Sequence, residues 1–402
     1  MYLKRRKFLQ QGTMAAAGTM LIPQFLQAIG QPQVAAVPPG VKVLVVLQLS
    51  GGNDGLNTVI PVRNDIYYRS RPRLGIAKDK ALPLTDEAGI HPALTQFKQC
   101  YDNGELAILN SVGYPNPDRS HFRSMDIWHS ASPSNQYWNT GWLGRYLDAA
   151  CNGSCAHATQ ALEIDDVLSL ALKGEQQKGM ALQDPARLYN TSQSKMYRSL
   201  IADNTHHDEP VADYLYKTLG NTINNADYIF KASKASASTA EYPNSELAKS
   251  LKTIASLVFS DINTKVYYVS LGSFDTHVNQ EGQQNRLFTE LNSAVGAFVS
   301  DLKAQGRFDD VLLCTFSEFG RRVAQNASGG TDHGTANNMF FIGGGLKRKG
   351  FLNAMPTLTN LENGDLIHQV DFKNVYATLL NKWLDADAEA ILQTPVKALD
   401  FI

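Results

Sequence analysis

Cysteine is scarce in this chain. Four occur in 402 residues, Cys100, Cys151, Cys155 and Cys314, and no Cys-x-x-Cys pair is among them. Iron–sulfur centres and zinc knuckles need such clusters, so the sequence offers neither. An excess of one charge is also missing: 37 Lys and Arg stand against 38 Asp and Glu, a formal net charge of −1. A nucleic-acid partner calls for a basic excess, and the short run Lys347-Arg348-Lys349 reads as a solvated turn. No stable transmembrane segment is expected, because no apolar run after the N-terminal region is long enough to span a bilayer. There is no repeat of solenoid length. Gly343-Gly344-Gly345 lacks the dinucleotide-binding spacing, which removes the main motif of a redox enzyme. With 43% hydrophobic and 19% charged residues, what remains is an ordinary globular composition.

The N-terminus has its own character. Lys4-Arg5-Arg6-Lys7-Phe8-Leu9 sets two arginines before an aromatic and a leucine, and Thr13 to Ile29 follows, mildly apolar and rich in alanine. This pattern resembles a twin-arginine export signal. Residues 1–36 are read as signal peptide and linker, with cleavage after Gly30 or Ala36. The resemblance implies recognition by the twin-arginine export machinery and a periplasmic or extracellular mature protein. An oxidising compartment permits a Cys151–Cys155 disulfide, although so close a spacing leaves its geometry open.

From residue 41 to 402 strand-like and helix-like runs alternate. This predicts one α/β domain with a central, mostly parallel sheet and helices on both faces. Valine-rich Val41–Leu49, then Leu106–Asn110, Leu162–Ile164, Val266–Leu271, Val311–Phe316 and Met339–Ile342, read as strands. Ala93–Tyr101, Arg119–Ser130, Gly141–Ala150, Asn285–Lys303 and Phe372–Leu384 read as helices. Residues 184–260 are dominated by helical patterns and are read as a helical insertion. Its His206-His207 pair lies in a polar stretch that follows no strand, and reads as solvated.

Chemistry-bearing residues gather just past strand ends. Asp54 follows the first strand within Gly51-Gly52-Asn53-Asp54-Gly55. Asp275 and His277 follow Val266–Leu271. Glu318, and then Asp332 and His333, follow Val311–Phe316. Ligands of α/β folds bind at the carboxyl ends of strands, so one shared site is expected. Carboxylate oxygens and imidazole nitrogens suit zinc, and in other mixtures manganese, magnesium or calcium. Ser120, at the start of a helix beside His121, is a candidate nucleophile or that helix's N-cap. Arg321 and Arg322 are candidates for holding substrate oxygens, or surface charge. Asp54 also fits turn chemistry alone. His91, His129, Trp128, Trp138 and Trp142 are assigned to the core.

Five pieces in order carry a family resemblance: Leu49-Ser50-Gly51-Gly52-Asn53-Asp54-Gly55-Leu56-Asn57, Arg119-Ser120-His121-Phe122, Phe274-Asp275-Thr276-His277, Ser317-Glu318-Phe319-Gly320-Arg321 and Thr331-Asp332-His333-Gly334-Thr335. Together they resemble the twin-arginine-exported domain-of-unknown-function 1501 family. That family is similar in outline to the alkaline-phosphatase-like superfamily of phosphatases and sulfatases. The resemblance implies a divalent metal site with Asp54, Asp275, His277, Glu318, Asp332 and His333 as ligands and a Ser, Thr or modified Cys nucleophile; the residues' own chemistry makes Ser120, His121 and Arg321 the candidate catalytic groups. The resemblance further implies a small anionic ester as substrate. Phe319 stands where the superfamily often has a histidine. The function expected is an exported metal-dependent hydrolase of phosphate or sulfate esters, and the alternative is a non-catalytic binding protein that keeps the fold.

Overall fold

The computed structural model describes residues 40–151, 158–195 and 210–402. The signal region 1–36, His206-His207 and Cys155 lie outside them. Seven strands build most of the sheet: β1 (Val43–Leu49), β2 (Leu106–Gly113), β3 (Ala161–Glu163), β4 (Met180–Ala181), β5 (Val266–Leu271), β6 (Val311–Phe316) and β7 (Asn337–Ile342). Short β8 (Gly350–Phe351) and β9 (Val370–Asp371) complete nine, in the order β8-β2-β7-β6-β1-β5-β3-β4, with β9 also paired to β2. β1 lies at the centre, parallel to β5 and to β6. Only β7 runs against the rest, antiparallel to β2 and β6. The sheet is therefore mostly parallel, as the valine-rich runs predicted.

Alternation along β1 explains the layers. Val43, Val45, Leu47 and Leu49 enter one apolar cluster, while Leu44 and Val46 enter the other. A strand turns successive side chains to opposite faces, so each face needs a cover. Helices α2 (Thr95–Asp102), α6 (Glu246–Phe259) and α7 (Gln280–Ala304) cover the first face; α3 (His121–Ser130), α4 (Trp142–Ala150) and α8 (Phe372–Thr378) cover the second. Each Val or Leu buried there contributes roughly 1.5–3 kcal/mol. Another helix, α5 (Pro210–Ala235), falls in the predicted helical stretch, and its Ile229 joins the first cluster. Trp128 and Trp142 are core residues, stacked near Phe372 and Tyr376 respectively. Trp138 differs from expectation: it is only partly covered and lies beside the Arg145 guanidinium, 5.0 Å from ring centre to cation. Cys151 is disulfide-bonded, whereas Cys100 and Cys314 are free and buried.

This topology brings the carboxyl ends of β1, β2, β5 and β6 to one edge, together with the start of antiparallel β7. The segments 50–54, 114–121, 272–277 and 317–333 all leave from that edge. No helix among the described residues is long and apolar enough to cross a membrane.

Candidate metal centre

Three imidazoles and one carboxylate meet at this edge. His277 Nε2 lies 2.9 Å from His333 Nε2. Asp275 Oδ1 lies 3.1 Å from each of these nitrogens, and Asp275 Oδ2 lies 3.4 Å from His121 Nε2. Donor atoms of His121, Asp275 and His333 all fall within 4.8 Å of one another, a group that could hold a metal ion. Three of the four residues come from loops after β5 and β6 and the fourth, His121, opens α3 after β2; all are half-buried to exposed, so the cluster opens to solvent.

The outer nitrogens decide the tautomers. His333 Nδ1 sits 2.8 Å from the Arg119 carbonyl, which can only accept. His277 Nδ1 faces Asp332 Oδ1 at 3.2 Å, and His121 Nδ1 faces Glu318 Oε1 at 2.9 Å. Each Nδ1 therefore carries the proton, and a neutral ring then leaves Nε2 as a bare lone pair. Bare nitrogens turned on one another and on a carboxylate repel unless a cation or proton lies between them. His121 Nε2 is buried without a hydrogen-bond partner. Bonds of about 2.0–2.1 Å to a tetrahedral ion set donors about 3.3–3.4 Å apart; the spacings of Asp275 to the three imidazoles, 3.1 to 3.4 Å, are near this, while the donors of His121, Asp275 and His333 spread over up to 4.8 Å. Imidazole nitrogens and a carboxylate oxygen are a donor set that could hold a divalent cation.

The surrounding charges hold this arrangement. Burial alone would raise the Asp275 carboxyl, but the Arg321 hydrogen bond, the adjoining His333 ring and the Arg321 charge bring it down to about 2. Its ligating form is thus fixed across the working pH range. The hydrogen bond to Glu318 raises His121, against the opposing effect of burial. His333 is lowered by burial, partly offset by Asp275.

The structure moves several expected residues to other work. Asp54, expected as a ligand, is buried and is not in the group of donor atoms that could hold an ion. Its Oδ1 caps helix α1 (Gly55–Thr58) through the amides of Leu56 and Asn57, and its Oδ2 accepts from Gln280 and, at 2.5 Å, from Arg71. Four protein donors fill the lone pairs of the carboxylate. Glu318 and Asp332, also expected as ligands, stand behind the imidazoles of His121 and His277. Arg321 presents no cation to a substrate. Fully buried, it donates to the carbonyls of Gly51, Gly52, Phe274 and Thr331 and, at 2.8 Å, to Asp275 Oδ1. Arg322 is turned to Asp365 and the Asn363 carbonyl. Ser120 is exposed at the start of α3 and makes no side-chain capping bond. Phe319 packs its ring on His121 and His333, 4.9 and 4.6 Å between centres.

The glycine pair after β1 is scaffold. Gly51 has φ +117, and a Cβ there would lie 2.5 Å from the Asp275 amide nitrogen. Only glycine lets this loop pass so close to the strand end that carries Asp275. Sequence reasoning missed Arg71 and Gln280. Arg71 lies 17 positions beyond its partner Asp54 and belongs to no motif. Gln280 opens α7 just after His277 and ties Thr331 and Thr276 to Asp54.

Fold and site together define an α/β protein with a histidine-rich candidate metal centre at the carboxyl edge of its sheet. The chain belongs to the family described as Protein of unknown function (DUF1501), whose sequence model matches residues 109–393. No curated protein matches it. Similar solved structures include the lipoteichoic acid synthase LtaP from Listeria monocytogenes, 12% identical over 85% of this chain and 73% of that one, with a TM-score of 0.35. The PsFucS1 sulfatase from Pseudoalteromonas sp. is 12% identical over 96% and 72%, with a TM-score of 0.38. A protein in the alkaline phosphatase superfamily from Vibrio parahaemolyticus is 11% identical over 87% and 71%, with a TM-score of 0.34. Overlaps this loose bear on neither activity nor substrate.

Proposed function

We propose that this chain is an exported metal-dependent hydrolase of phosphate or sulfate esters, with one zinc-like cation held by His121, His277, His333 and Asp275. The observation that carries the reading is the convergence of three Nε2 atoms whose Nδ1 atoms already face acceptors. The cation, when bound, supplies Lewis acidity toward the non-bridging oxygens of an anionic ester. The chain's own groups do the rest. Asp332 and the Arg119 carbonyl fix the rings of His277 and His333. Arg321 aims Asp275. Phe319 closes the floor beneath two of the imidazoles, so the ester approaches from the solvent side. The exposed hydroxyl of Ser120, next in sequence to a ligand, is the nucleophile candidate beside water.

One observation favours the alternative, a non-catalytic binding protein. His277 Nε2 lies 2.9 Å from His333 Nε2 beside the group His121, Asp275 and His333, and a fourth protein donor is the habit of structural sites, whereas catalytic ones keep a position open. The test is metal analysis of the purified chain together with turnover of aryl phosphate and aryl sulfate esters. The hydrolase reading expects bound zinc, turnover lost on chelation and restored by zinc, and both lost in His333→Ala. Equal background rates in zinc-loaded wild type and His333→Ala would leave the binding protein as the answer. Ser120→Ala then separates the nucleophiles: loss of turnover with metal retained assigns the serine, and retained turnover assigns water.

A further inference from the structure

We propose that Glu318 is the positioning residue of the metal centre, a buried carboxylate that holds the His121 ring in the one tautomer and orientation that can bind a cation. The inference rests on the metal reading above and assigns Glu318 a role different from that of a ligand.

Glu318 is completely buried, at 0% exposure, and among the described residues its ion-pair partner is His121. Its Oε1 accepts the Gly51 amide at 2.8 Å and faces His121 Nδ1 at 2.9 Å. Its Oε2 has the Ser317 hydroxyl at 3.5 Å. A buried carboxylate is costly unless compensated, and among the described residues the only side chain paired with it that can carry positive charge is His121. Compensation runs through the ring: the Nδ1–H is a better donor when Nε2 is bound to a cation. The carboxylate in turn makes Nε2 a better ligand, the logic of carboxylate–histidine–metal triads.

Two further contacts fix where the ring sits. The backbone carbonyl of Glu318 accepts from the Ser124 hydroxyl, one turn along α3 from His121. Oε1 also holds the Gly51 amide, in the loop that Arg321 grips through the Gly51 and Gly52 carbonyls on the way to Asp275. His121 and Asp275, which approach from different strands, are thus referenced to one loop. Phe319, the neighbour of Glu318, packs on the same ring. His121 follows its strand by a loop of several residues, and the Nδ1 contact with Glu318 is the hydrogen bond that fixes the rotation of its ring against the Phe319 and His333 rings.

The test uses the full chain and zinc as probe. Glu318→Gln keeps the shape and removes the charge. Zinc affinity should fall about 10–100-fold, while the metal-free variant unfolds at the same temperature as wild type or higher. In a His121→Ala background the same change should move zinc affinity less than about twofold, because the carboxylate acts through that ring. A purely structural Glu318 would lower stability and leave the cycle additive. Nitrogen-15 spectra of metal-free wild type supply a readout that needs neither metal nor variant, and should show His121 protonated at Nδ1. An Nε2–H tautomer, or zinc affinity within twofold of wild type in Glu318→Gln, overturns the proposal. Wild type that binds no zinc overturns the metal reading itself, and the Nδ1–H result distinguishes that failure from this one.

Discussion

Two aspartates that look alike in sequence should behave in opposite ways when changed. Asp54→Asn leaves Arg71 buried and uncompensated, since the pair has side-chain exposures of 0% and 1%. Breaking such a pair costs about 3–5 kcal/mol, so the denaturant midpoint should drop steeply while zinc content of the folded fraction stays at the wild-type level. Asp275 is half-exposed, sits among the imidazoles and is also the carboxylate partner of buried Arg321. Asp275→Asn should lose metal and also lower metal-free stability, by less than Asp54→Asn because solvent reaches the Asp275 side of its pair. Metal analysis and urea unfolding of the two variants side by side check the contrast. Loss of zinc in Asp54→Asn with unchanged stability would return Asp54 to the ligand set. The difference was not legible in the sequence. A carboxylate after a strand within Gly-Gly-Asn-Asp-Gly announces an important residue, but its partner Arg71 follows no period or motif. His91 and His129 were legible: burial lowers both to about 4, and each packs against an aromatic neighbour.

At the level of elements, the strands that carry the site were the readable ones. β5 and β6 have the boundaries their apolar runs predicted, and β1 starts two residues later. Continuous β-branched and apolar runs can only be central strands, buried on both faces. The direction of β7 was not readable, because antiparallel and parallel central strands bury the same side chains. The place of His121 was only half readable: it begins a helix, and its Nε2 reaches Asp275 because β2 ends at the same edge as β5. Short β3 carries a different signal. Burial raises Glu163 to about 7, partly countered by its bond from the Ser169 amide. The folded state thus prefers the protonated acid. Stability from this group is fully present below the unfolded value near 4.5, and is lost as pH rises through about 7. Glu163→Gln should therefore be more stable than wild type by roughly 2–3 kcal/mol at pH 8, with a smaller gain at pH 5. Urea titrations at the two pH values measure it, and an equal gain at both would mean that the group's ionisation plays no part.

Across the whole molecule, export is the remaining proposal. If the Arg5-Arg6 pair is read by the twin-arginine machinery, Arg5→Lys with Arg6→Lys leaves the precursor in the cytoplasm, and cell fractionation shows where it stops. Normal secretion of the double variant points to another route. The spread of the donors along the chain then acquires a chronological meaning. His121, Asp275, His277 and His333 follow three strands, and the last of them is reached only when most of the polypeptide has been made. A nascent chain that has not yet yielded His333 can offer an ion only part of its coordination sphere. The complete sphere first exists when β6 has docked beside β1 and β7 has closed the sheet toward β2. On the metal reading, capture of the ion therefore follows the last docking step, and the compartment where that step takes place is the one whose metal pool fills the site.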